Sequence, residues 1–171
     1  MTRGALVVAA VAALAQVGGA SANGVKAVPC TGKVLRGTFT AVPGSEGAGN
    51  IVYALRLRNA SSRVCAIKGL PRLQLLGREG VKHPTAAVAL HPAQAAATLV
   101  TLDRNKTAAL TARFSPDVPG PGEHVTGRCE PVSAKLRVSP PGGGSLIVAI
   151  APPTSVCEHG GMTLSVLAFS R

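Results

Sequence analysis

The chain has 171 residues and carries 18 Lys and Arg against 7 Asp and Glu, a formal charge of +11. Its aromatic residues are Phe39, Tyr53, Phe114 and Phe169 alone, so a core must be built from small aliphatic groups that each bury less area than a ring. Surfaces that stack sugars or single-stranded nucleic acid on exposed rings are therefore disfavoured, and the length accommodates one domain.

The amino terminus follows the layout of a secretory signal: Arg3, an apolar run over residues 5–15, then small residues up to Ala20-Ser21-Ala22. A membrane-spanning anchor needs about 20 apolar residues, and this run breaks at Gln16, Gly18 and Gly19. Cleavage after Ala22 would remove residues 1–22, leave 23–171 as a single domain, and lower the charge from +11 to +10 by loss of Arg3. Cys30 follows Val28-Pro29, which is not a lipobox, so the expected product is released to the envelope or extracellular space. In that compartment Cys30, Cys65, Cys129 and Cys157 are expected as disulfides, and four cysteines allow three pairings.

The rest reads as short alternating segments divided by Pro and Gly. A first strand is expected over 34–41, followed by the turn-forming VPGSEGAG. In NIVYALRLRN, Ile51, Tyr53, Leu55 and Leu57 share one face while Arg56 and Arg58 take the other, as a half-buried strand requires. Asn59 ends that strand and opens the NASS turn. Strands are expected next over 64–68 and 72–76. The Ala-rich stretch 86–97 is interrupted by Pro92 and reads as loop plus strand, with a further strand over 97–102. TAALTARF turns Ala108, Leu110, Ala112 and Phe114 inward. VSAKLRV alternates Ala134, Leu136 and Val138 with Ser133, Lys135 and Arg137, a strand is expected over 146–150, and MTLSVLAF closes the chain as one strand with Leu164 and Val166 alternating. The pattern predicts an all-β, disulfide-stabilised, immunoglobulin-like β-sandwich of about seven to nine strands.

The order Cys30, GAGNIVYALRLRNASSRVCAIKGLPRLQLLG, ALHPAQAAATL, RCEPVSAKLRVSPPG and Cys157 resembles the secreted actinobacterial family called domain of unknown function 4232. Its most specific part is Arg58-Asn59-Ala60-Ser61-Ser62, then Cys65 and Gly69-Leu70-Pro71. Leu70 stands where members often carry an aromatic, and Trp is absent. The resemblance implies a β-sandwich whose cysteines pair in sequence order, Cys30 with Cys65 and Cys129 with Cys157. The family has no assigned activity, so the resemblance implies none here.

Chemical constellations are sparse. His83, His91, His124 and His159 are dispersed in Pro- or Gly-rich loops. A zinc set of His124, Cys129, Cys157 and His159 lacks Cys-x-x-Cys spacing, and export favours disulfides over thiolate ligands. Cys157-Glu158-His159-Gly160-Gly161-Met162 is similar to a cupredoxin copper loop, with His124 as second imidazole. One residue separates Cys157 from His159 where cupredoxins have at least two, and copper would leave Cys129 unpaired. With both disulfides formed, His159 and Met162 are too few ligands for a tight site, so no metal and no cofactor are expected.

No GxSxG or SxxK motif is present, and Ser45 in PGSEG reads as a turn residue. The seven acids, Glu46, Glu79, Asp103, Asp117, Glu123, Glu130 and Glu158, are isolated from one another along the chain. The expectation is a non-enzymatic binding or structural module of the bacterial envelope or extracellular space; the alternative is a cupredoxin-like copper protein. The charge points to anionic envelope polymers or lipid head groups as partners, and no specific nucleic acid is expected because almost no ring is left exposed for stacking. Arg56, Arg58, Lys135 and Arg137 are the candidate anion-binding residues. The even scatter of the basic residues, with no consecutive run, favours a merely solvated surface over a binding one.

Overall fold

The computed structural model describes residues 27–170, so the expected signal over 1–22 lies outside the described residues. Alternation becomes strands throughout: β1 (Val28–Pro29), β2 (Leu35–Ala41), β3 (Ile51–Asn59), β4 (Cys65–Lys68), β5 (Arg72–Leu76), β6 (Ala86–Ala89), β7 (Leu99–Leu102), β8 (Thr107–Phe114), β9 (Ser133–Ser139), β10 (Leu146–Thr154), β11 (Gly161–Leu164) and β12 (Ala168–Ser170). One sheet has the order β1-β4-β7. The other has nine strands in the order β5-β9-β10-β2-β3-β8-β11-β6, with β12 also paired to β8. The domain is an all-β sandwich, as expected; its sheets are mixed, with parallel pairs β1–β4, β2–β10 and β6–β11, and every expected strand segment has a counterpart among twelve strands where seven to nine were expected.

The central strand β3 runs antiparallel to β2 and β8, with Leu55 opposite Phe39 on one side and Leu110 on the other. Its inward residues Ile51, Tyr53, Leu55 and Leu57 meet Leu136 and Val138 of β9 and Ile67 and Leu102 of the small sheet in one core. Small aliphatics dominate that core. Three of the four rings stack within it, Tyr53 lying 5.1 Å from Phe39 and 5.2 Å from Phe114 at tilted angles that suit aromatic quadrupoles. The buried Tyr53 hydroxyl donates to the Pro152 carbonyl at 2.8 Å, so its polar end is satisfied. β10 joins the two halves of the large sheet by pairing antiparallel with β9 and, further along, parallel with β2.

Two readings are corrected. Pro92 does not interrupt helix; it begins one, α1 (Pro92–Ala97), because the first helical turn has no use for the N–H that proline lacks. The closing strand is broken into β11 and β12 by a bulge. Between the pairs Leu164–Ala112 and Ala168–Ala109, four steps on one strand face three on β8. Ser165 fills the break, its Oγ accepting from Thr111 N at 2.8 Å. Past the bulge the faces exchange, so Leu167 enters the core while Val166 is only partly buried and Phe169 is exposed.

Candidate functional site

Parity on β3 sends Arg56 and Arg58 outward, where both are exposed. β2 places Arg36 directly opposite Arg58 and Thr38 opposite Arg56, and β8 adds Thr107 opposite Arg58. Directly paired residues have Cβ atoms about 4.5–5.5 Å apart, so two guanidinium groups start from adjacent positions. Both are held in place from behind. Arg58 Nη1 donates to Asn105 Oδ1 at 2.7 Å, and Arg36 Nη1 donates to the Leu35 carbonyl at 3.0 Å. An open groove of about 290 Å³ lies between these side chains, lined by Arg36, Gly37, Thr38, Arg56, Arg58 and Thr107. Among the described residues every ion pair within 4.0 Å involves His159, so none of their carboxylates lies within that distance of the three arginines.

Lys135 and Arg137 do not join this cluster. They lie on β9, with β10 and β2 between it and β3, and three strand spacings amount to about 14 Å. Lys135 Nζ instead donates to the Arg78 carbonyl at 2.6 Å, and Arg137 is partly buried. Arg36 takes their place, and only the β2–β3 register identifies it.

The cysteines pair as the resemblance implied. Cys30 and Cys65 bridge the β1 and β4 segments with Cα atoms 5.0 Å apart, and Cys129 joins Cys157 with Cα atoms 5.5 Å apart. The second cystine consumes the thiolate that a blue-copper set requires, and Met162 is buried in the core.

Around that cystine the structure builds a site which sequence reading missed. In the turn α2 (Cys157–Gly160), Glu158, His159 and Gly160 are consecutively left-handed, with φ of +56°, +56° and +78°. A Cβ on Gly160 would lie 2.0 Å from the Pro84 carbonyl oxygen, so only glycine fits there. The Glu158 and His159 amides turn toward one carboxylate, that of Glu123. Its Oε2 accepts from Gly120 N at 2.7 Å and Glu158 N at 2.9 Å, while Oε1 accepts from His159 N. Its side chain is 1% exposed. Burial pushes the Glu123 carboxyl up, but the His159, Gly120 and Glu158 amides outweigh burial and hold it at about 2.

A carboxyl depressed in the folded state contributes stability above its ordinary value of 4.5 and loses it as pH falls toward 2. Glu123→Gln should therefore be less stable than the parent at pH 7, with the gap closing between about pH 4.5 and 2 in chemical-denaturation curves. A gap independent of pH would show that the carboxylate charge is not what the loop uses.

The Glu130 carboxylate and His159 imidazole lie beside Glu123, with Nδ1 3.5 Å from Glu130 Oε1 and 3.7 Å from Glu123 Oε1. The three acid and imidazole groups border an open cavity of about 520 Å³ with His124 and Arg128 on its rim. The sequence signal was the Cys129–Cys157 pairing itself, which brings Glu130 and His159 to the same bond.

Together these features define a disulfide-bonded β-sandwich with an arginine ridge on one sheet and a carboxylate–imidazole corner beside its second cystine. Residues 30–170 match the family described as Domain of unknown function (DUF4232), and the chain belongs to that family. No curated protein and no solved structure matches it.

Proposed function

We propose that the protein is an exported, non-catalytic module that binds anionic envelope polymer through Arg36, Arg56 and Arg58. The observation that carries this reading is the Arg36–Arg58 cross-strand pair, with no carboxylate of a described residue within 4.0 Å of either guanidinium. Like charges directly opposite one another destabilise a sheet, so the pair is a poor choice for folding and a good one for an anion. Arginine also suits the task chemically, because its planar fork binds carboxylate or phosphate oxygens two at a time. Export is supported by two cystines, which persist in oxidising compartments. No helix among the described residues is long and apolar enough to cross a membrane.

A non-catalytic role is supported by what the candidate groups already do. Ser45 Oγ is engaged with the Val52 backbone at 3.1 and 3.2 Å, and Glu123 is committed to three amides.

Co-sedimentation with isolated cell walls, with anionic vesicles as a separate arm, tests the proposal. Binding should fall steeply as salt rises past 0.1 M, where charges about 10 Å apart are screened. Arg36→Ser with Arg58→Ser should abolish it, while Lys135→Ser should leave it nearly unchanged. Retention by the double variant would overturn the assignment, and binding confined to vesicles would replace the polymer with lipid head groups.

A further inference from the structure

After the disulfides form, the loop around Cys157 retains only His159 and Met162 of its copper set, and the fold brings other ligands to His159. Glu123, Glu130 and His159 present two carboxylate oxygens and one imidazole nitrogen within 4.8 Å of one another. Ligands around a tetrahedral zinc at about 2.1 Å stand about 3.4 Å apart, and the two separations from Nδ1 are 3.5 and 3.7 Å. The spacing already suits an ion between them.

The imidazole is oriented independently of the carboxylates. His159 Nε2 lies 3.1 Å from the Pro121 carbonyl, which can only accept, so Nε2 carries the proton. In the neutral ring the Nδ1 lone pair then faces both carboxylates. Metal-binding histidines are held in this way, with the far nitrogen donating to a carbonyl that fixes tautomer and orientation. The carboxylates also lack another cation. Their side chains are 1% and 13% exposed, and among the described residues no Lys or Arg lies within 4.0 Å of either. Glu123 Oε1 accepts the His159 amide and keeps a second lone pair for a ligand bond.

We propose that Glu123, Glu130 and His159 form a zinc-binding site whose fourth position opens to the adjoining cavity. One nitrogen and two carboxylate oxygens suit zinc better than calcium, which takes six to eight oxygens at longer distance. The cystine Cys129–Cys157 and the Glu123 clamp hold both loops in place before the ion arrives. Arg128 on the cavity rim opposes a cation, so the affinity should fall below that of thiolate sites. The site is separate from the arginine ridge and stands or falls without it.

Titration of the chelator-treated, disulfide-intact protein with zinc chloride, followed calorimetrically, tests the site. One zinc per chain is expected, undiminished by excess magnesium or calcium. His159→Asn, chosen because asparagine tolerates the left-handed backbone, and Glu130→Gln should each weaken binding at least tenfold. Circular dichroism with chelator present should show both variants folded, and Glu130→Gln alone carries the test if His159→Asn does not fold. Arg36→Ser with Arg58→Ser should bind zinc like the parent. Absence of uptake, or uptake unchanged in Glu130→Gln, would overturn the proposal.

Discussion

Reduction of both cystines is expected to unfold the domain at 37 °C. The two bridges close sequence separations of 35 and 28 residues. Chain-entropy arithmetic gives about 3.8 kcal/mol for the first and about 3.6 kcal/mol for the second. Their sum, about 7 kcal/mol, compares with a total stability of about 5–15 kcal/mol for a typical domain. This core has little to spare, because Ala, Val and Leu replace rings at most buried positions. Cys30→Ala with Cys65→Ala should be the more damaging pair, since β1 is only two residues long and the bridge fastens it to β4. Cys129→Ala with Cys157→Ala should cost less, because the Glu123 clamp still ties those loops together. Guanidinium unfolding followed by far-ultraviolet circular dichroism ranks the three proteins. Midpoints equal to the parent's would mean that the sheets hold without covalent help.

Alternation was legible wherever one face of a strand meets the core, which is why the β3 and β8 segments could be assigned residue by residue. β1 escaped because two residues are too few to show a period, and in the Ala-rich stretch 86–97 the uniform side chains hid the order, strand β6 first and helix α1 after it. The bulge at Ser165 depends on the register against β8, a property of the pair that neither strand carries alone. The same limit governs the site. Parity alone turned Arg56 and Arg58 outward, but only the β2–β3 register sets Arg36 beside Arg58, and only the strand order removes Lys135 and Arg137. Glu123, Glu130 and His159 carry no periodic signal because they sit in loops, and their meeting depends on a cystine and a left-handed turn.

Asn59→Asp, a change of one atom, should cost about 3 kcal/mol or more at pH 7, because a buried carbonyl and a part-buried one would then face an acceptor. Asn59 is fully buried at the end of β3. Its Nδ2 donates to the Arg63 carbonyl at 2.7 Å and to the Leu102 carbonyl of β7 at 3.0 Å, pinning one sheet to the other. Its Oδ1 accepts from Ser61 N at 2.9 Å and Ser61 Oγ at 2.8 Å, closing the NASS turn. Aspartate keeps the Ser61 bonds but sets its second oxygen against both carbonyls. The folded state would then favour the protonated acid, raising its pKa above the unfolded reference of about 3.9. For a raised pKa, the stability is fully present below the unfolded value and is lost as pH rises. The gap between parent and variant should therefore narrow below about pH 4. Asn59→Ala should cost about 1–3 kcal/mol with no such pH dependence, since it leaves the Leu102 carbonyl without its Asn59 donor while Ser61 Oγ still reaches the Arg63 carbonyl at 3.0 Å. Urea curves for the three proteins at pH 7.5 and pH 3.5 make the comparison. An aspartate variant no weaker than the alanine variant at pH 7.5 would show that water, not Asn59, satisfies the Arg63 and Leu102 carbonyls.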